Sequence, residues 1–110
     1  MKRSEFNALI ERKDETGMHA VGRALVHLLN RQTEDEKRES TTKYHNNLGF
    51  TGADARRGTI TAKYYLRHRM LNDWQIAYWL TKDKTGRTRL GKYYGQIAEE
   101  AKKKAAQKAA

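Results

Sequence analysis

No proline occurs in the chain's 110 residues, and that absence narrows the accessible folds more than any other feature. Proline stops helices outright and pre-sets many loop turns. A chain without it must punctuate itself with glycine and capping side chains, and eight glycines are available for the purpose. Between these breaks, apolar residues recur at spacings of three and four, the period of an amphipathic helix. Together these features predict an all-α fold, a single small domain of about five helices over residues 1–100. The basic Ala/Lys-rich tail, 101–110, favours helix but has nothing beyond alanine to bury, so a fraying helix or a disordered end is expected there.

The first predicted helix is short, with Ser4 as its cap and Phe6, Leu9 and Ile10 on one face; residues 13–17 break it. The second carries the clearest stripe, Met18, Val21, Gly22, Leu25, Leu28 and Leu29. Thr33-Glu34-Asp35-Glu36 has the form of a capping box, and residues 40–50 read as a loop. In the second half, Thr51 to Asp54 opens a short turn that Gly58 interrupts. A helix over 59–69 follows, with Ala62, Tyr65, Leu66 and Met70 on one face. Asn72 caps a helix over 73–82 that is apolar almost all round, which predicts a central position. From Leu90 onward Tyr93, Tyr94, Ile97, Ala98 and Ala101 form a last stripe, with Glu99 and Glu100 facing away. A competing local reading pairs residues 79–82 with 87–90 across the Thr85-Gly86 turn, as the wing of a winged helix.

Composition excludes several classes of protein. There is no cysteine, which removes disulfides, thiol catalysis and Cys-ligated metals. No apolar run approaches the roughly 18 residues of a membrane span, so no membrane association by insertion is expected. The basic N-terminus is followed by no apolar stretch of secretory type, which makes the cytoplasm the default compartment. The four histidines, His19, His27, His45 and His68, have no metal-site spacing; His68, between two arginines, reads as part of a basic surface. The acidic run Glu34, Asp35, Glu36 and Glu39 has no convergent partner and reads as a solvated helix face. No nucleophile-elbow or P-loop pattern occurs. The expectation is a non-enzyme with no cofactor and no metal.

Charge supplies the positive signal. Lys and Arg number 23 against 13 Asp and Glu, a net of +10. The first fifty residues carry +1 and the remaining sixty +9. A field of that sign attracts polyanions, nucleic acid first. The candidate nucleic-acid-binding residues are the cations Arg56, Arg57, Lys63, Arg67, Arg69, Lys84, Arg87, Arg89 and Lys92. Aromatics interleave with them, and Tyr64 and Tyr94 are the candidate stacking platforms for unpaired bases, each worth roughly 1–3 kcal/mol per base; Trp74 and Trp79 read as core. The helices over 59–69 and 73–82 have the proportions of a helix-turn-helix pair. Gln75 would be its adenine reader, but Asp73 repels phosphate, so backbone docking with limited sequence preference is the more economical expectation. Six to eight phosphate contacts would make affinity fall roughly 10³-fold or more between 50 and 200 mM salt.

Four strings add a resemblance: Arg31-Gln32-Thr33-x-Asp35-Glu36, then Asn47-x-Gly49-Phe50-Thr51-Gly52-x-Asp54-x-x-x-Gly58, then Leu71-x-x-x-Gln75, then Lys92-Tyr93-x-x-Gln96. Over residues 33–96 the chain resembles a small module recurring in bacteriophage and plasmid proteins. That resemblance implies a mobile-element setting and hence a nucleic-acid context. Within it Phe50 reads as a loop anchor, Asp54 as a cap and Gly58 as a bend. The leading expectation is a phage or plasmid accessory protein that binds nucleic acid, DNA favoured over RNA. The rivals are a phage-encoded modulator that binds a host nucleic-acid-binding protein and a helix-turn-helix transcriptional regulator, which would require a dimer.

Overall fold

The computed structural model describes residues 2–31 and 49–109. The predicted capping box at Thr33, the acidic run 34–39 and most of the 40–50 loop lie outside the described residues. The chain forms α1 (Arg3–Ile10), α2 (Glu15–Arg31), α3 (Gly52–His68), α4 (Asp73–Trp79) and α5 (Tyr94–Ala109), the last preceded by a 3-10 turn at Gly91–Tyr93. No strand occurs among the described residues, and no helix among them is long and apolar enough to cross a membrane. This is a small all-α fold.

The α2 stripe organises the core. Val21, Gly22, Leu25, Leu28 and Leu29 are buried on one face, and Ala20 and Ala24 widen it. Phe6 and Ile10 of α1, Ala55, Ala62 and Tyr65 of α3, Trp79 of α4 and Ile97 of α5 close on the same cluster. The break before α2 is tighter than the sequence predicts. Asp14 caps the helix by accepting the Gly17 N–H at 3.0 Å, and Gly17 lies inside the first turn. A Cβ there would meet the Arg12 carbonyl oxygen at 2.0 Å, so glycine serves close approach and not termination. Ser4 is likewise no cap; it lies inside α1, which begins two residues earlier than that cap implies, with Lys2 at the N-cap position.

Gly58 overturns the expected interruption. Residues 52–68 are one continuous helix, and Gly58 sits on its buried face with the Phe50 ring laid against it. A Cβ at 58 would lie 2.4 Å from the ring, and Phe50 is itself buried at 1% exposure. Gly→Ala inside a helix normally stabilises by about 1 kcal/mol. Here the sign reverses: Gly58→Ala is expected to cost about 1–3 kcal/mol through overpacking, read as a lower urea midpoint at unchanged m-value. A neutral or stabilising result would mean that Phe50 does not pack on α3.

The second half departs from the predicted faces and elements in four further places. Leu66 and Met70 are exposed, while Ala62 and Tyr65 alone carry that stripe inward. α4 ends at Trp79 and is not central all round, because Trp74 is 64% exposed. After α4 the chain reverses in a rudimentary hairpin, the reading that competed with helix here. Lys82 and Thr88 form an isolated antiparallel bridge, Asp83 N–H donates to the Arg87 carbonyl at 2.9 Å, and Arg89 N–H donates to the Thr81 carbonyl at 2.9 Å. The turn is held by Asp83, whose Oδ1 accepts from the Thr85 amide and hydroxyl and from the Arg87 amide, while Gly86 supplies φ 84. Helical structure therefore resumes at Gly91, and α5 continues through the Ala/Lys tail. Glu100 does not face away; it is buried on α5 beside Arg31, at 3.8 Å.

Candidate nucleic-acid interface

α3 sorts its residues cleanly by face. Asp54, Ala55, Gly58, Thr61, Ala62 and Tyr65 point inward. Arg56, Ile60, Lys63 and Arg67 are exposed on the opposite side. At 3.6 residues per turn, positions 56, 63 and 67 fall within about 40° of one another and span about 16 Å of helix. None of these three cations makes an ion pair among the described residues, and no carboxylate of α3 shares their face. They are a ready-made row of positive charge on a rigid element.

The other predicted cations are not part of that row. Asp54 is fully buried, and its carboxylate gathers Arg89 Nη1 at 2.8 Å, Lys92 Nζ at 3.0 Å and the Tyr93 hydroxyl at 2.6 Å. Burial by itself would raise this carboxyl's pKa; the Tyr93 hydroxyl, then Lys92 and Arg89, outweigh it and hold the group below the ordinary carboxylate range. Tyr93 moves the opposite way. Burial first, and the neighbouring Asp54 second, push the phenol up, so it keeps its proton and donates. Arg89 and Lys92 are thus engaged in holding the segment after the hairpin onto the start of α3. Arg57 and Arg89 both lie over Tyr78, at 4.4 and 4.6 Å from the ring centroid. Lys84 and Arg87 are exposed on the hairpin, whose Lys82 reaches Glu11 of α1 at 3.5 Å. Arg69 terminates α3 in a left-handed conformation, φ 55, and faces a different cavity from Arg87.

Neither predicted stacking platform is an open ring. Tyr64 is half-buried against His68, 4.3 Å between centroids, and its hydroxyl accepts from Asn72 Nδ2 at 3.2 Å. Tyr94 is half-buried between Phe6 and the Arg3 guanidinium. Gln75 is buried too, and its Oε1 accepts the Asn72 amide at 2.7 Å in a capping box, which removes it as a base reader. The exposed aromatic that the sequence reading assigned to the core is Trp74. Its spacing from Trp79 held the signal: five residues on a helix turn the two indoles about 140° apart, so they cannot share a face.

Eight of the motif residues, Gly49, Phe50, Thr51, Asp54, Gly58, Lys92, Tyr93 and Gln96, form one structural network. Gln96 accepts the Gly49 amide at 2.7 Å and donates to its carbonyl at 3.2 Å. The Tyr93 hydroxyl lies 3.1 Å from the Thr51 amide, Phe50 packs on Gly58, and Asp54 holds Lys92 and Tyr93. Their work is to bind the start of α3 to α5. Phe50 is the anchor expected of it; Asp54 is an ion-pair centre and not a cap. No protein family matches the chain, and no curated protein or solved structure matches it.

Proposed function

We propose that the protein is a nucleic-acid-binding accessory protein that docks α3 on a phosphate backbone with little sequence preference and performs no chemistry of its own. The observation that carries this reading is the row Arg56, Lys63 and Arg67, exposed, unpaired among the described residues and with no carboxylate of α3 on its face. Ile60, 56% exposed, sits within the row and offers an apolar contact to sugars or bases. A row of three cations supports a smaller electrostatic footprint than the whole basic half of the sequence. Three phosphate contacts give a log–log salt slope of roughly −2 to −3. Fluorescence anisotropy with labelled single- and double-stranded DNA and RNA is therefore expected to show binding at 50 mM salt that weakens roughly 20- to 40-fold by 200 mM. No binding to any of the four at low salt would end this reading. A second reading, a modulator that binds a host nucleic-acid-binding protein, is favoured by Trp74, since exposed tryptophan is a common anchor of protein interfaces.

A further inference from the structure

We propose that the open cavity bordered by α2, the C-terminal end of α3 and α5 is a binding pocket for a phosphate group. The pocket deepens the nucleic-acid reading, and the identity of the phosphate's carrier rests on that reading. The cavity measures about 550 Å³ and is lined by His19, Arg23 and His27 of α2, Tyr65 of α3, Arg69 just after it, and Lys104 of α5. Three permanent cations and two imidazoles from three elements thus share one space, with no carboxylate among its described lining residues. The cavities beside α1 differ in this respect. The one against α4 carries Glu11, Asp14, Glu15 and Asp73, the one under the hairpin carries Glu11, and the one against α5 carries Glu99. A solvated protein surface with both signs of charge interspersed does not by itself sort charges this way.

Three details mark the pocket as built. The floor is rigid: Tyr65 is buried against Gly22, where a Cβ would lie 2.3 Å from the ring, and its hydroxyl is 2.8 Å from His19 Nδ1. When that hydroxyl donates, the neutral His19 ring carries its proton on Nε2 and is a donor there. Next, His27 lines the pocket, and its buried Nδ1 has no hydrogen-bond partner among the described residues. Finally, Arg69 occupies a position that glycine normally takes, and it is the one non-glycine residue at positive φ among those described. The helix-end dipole does not require an arginine there, because Arg67 already supplies a cation to the last turn. Charge at the pocket explains why the strained position keeps a long basic side chain.

The electrostatics around His27 agree. Its imidazole is held below the ordinary histidine range by burial first and then by Lys104, with Arg23 acting in the same direction and Glu100 against them. The charged groups acting on it are Arg23 on its own helix and Lys104 and Glu100 on α5, and His19, Tyr65 and Arg69 line the same cavity. The same positive field that disfavours an imidazolium favours an anion, and a bound anion would raise the His27 pKa in return. Leu66 and Arg69 border the pocket and flank in sequence Arg67, the last cation of the exposed row.

The test uses the full chain with labelled histidines, followed by NMR during titration with inorganic phosphate and with sulfate. Phosphate is expected to shift both the His19 and His27 rings and to raise the His27 pKa. Arg69→Gly suits the positive φ, so it should keep or raise the melting temperature while weakening phosphate at least tenfold; Lys104→Gln should weaken it as well. Unmoved histidine rings, or unchanged phosphate affinity in both variants, would overturn the pocket. A 5′-phosphorylated oligonucleotide that competes with inorganic phosphate for the histidine shifts identifies a strand as the carrier. If the strand binds by anisotropy and leaves the histidines untouched while phosphate moves them, the pocket stands as a free-phosphate site and its link to the strand is overturned. If phosphate binds and no nucleic acid does, the pocket stands and the docking of α3 on nucleic acid falls.

Discussion

Replacing Arg56, Lys63 and Arg67 together by glutamate is expected to abolish nucleic-acid binding, by at least about 100-fold at 50 mM salt, with the melting temperature nearly unchanged. The triple change moves the charge of one helix face by six units while touching no buried group, since all three side chains are exposed and unpaired among the described residues. Lys, Arg and Glu have similar helix propensities, so α3 itself is not weakened intrinsically. The one local penalty is a glutamate in the last helical turn, at 67, worth at most about 1 kcal/mol through the helix dipole. A neutral version, with glutamine at the same three positions, separates attraction from repulsion. It should bind weakly and lose roughly two to three units of the log–log salt slope. Parent-like affinity in the folded triple-glutamate protein would remove α3 as the docking element. Parallel reversal of Arg89 and Lys92 is not an equivalent control, because both hold Asp54 and would report stability in place of binding.

Residue periodicity carried much of the fold, and its failures have specific physical causes. The α2 stripe is legible because a long helix with Leu and Val at three- and four-residue spacings has one way to bury them. Gly17 and Gly58 read as breaks because glycine is a poor helix former, yet both are helical here. What glycine supplies at these points is the absence of a side chain beside Arg12 and Phe50, a long-range or irregular contact that no local pattern encodes. The hairpin was visible as Asp83-Lys84-Thr85-Gly86 but competed with an apolar stripe that starts at Leu90; Leu90 is buried from the hairpin, one residue before helical structure resumes. For the candidate interface, the sequence reading counted cations without knowing which had a partner. The carboxylate that takes two of them, Asp54, lies thirty-five and thirty-eight residues away from Arg89 and Lys92 and becomes their neighbour only through the fold. The spacing of Arg56, Lys63 and Arg67 was legible as a face only once Gly58 was seen not to interrupt the helix. The phosphate pocket was beyond reach in the same way, since His19, Arg69 and Lys104 meet only when α2, α3 and α5 pack.

Asp54→Asn is expected to lower stability by about 3 kcal/mol, a fall of roughly 10–20 °C in melting temperature for a domain of this size. The substitution would keep the volume of the side chain but present an amide NH2 where the carboxylate accepts from Arg89, Lys92 and the Tyr93 hydroxyl. Donors would then face a donor, and two cations would lose their counter-charge. Arg89 and Lys92 are each about a third exposed and can turn partly to water, which keeps the penalty toward the lower end for a broken buried pair. The pH dependence separates charge from shape. The Asp54 pKa is depressed in the folded protein, so its contribution is complete above the ordinary carboxylate pKa of about 4 and is lost as pH falls through that range toward the folded value. Parent and variant melting temperatures should therefore stand apart at neutral pH and converge in acid. Asp14 and Asp83 are also held low, chiefly by the Arg12 and Thr85 side chains respectively, and both remain in the variant. They leave its acid limb shallower than the parent's, though not flat. Curves that stayed parallel from pH 7 to pH 3 would show that the carboxylate's charge does not hold the 89–93 segment to α3. Arg89 and Lys92 would then be available to the same polyanion as the α3 row, and the larger footprint read from the whole basic half of the sequence would have to be restored.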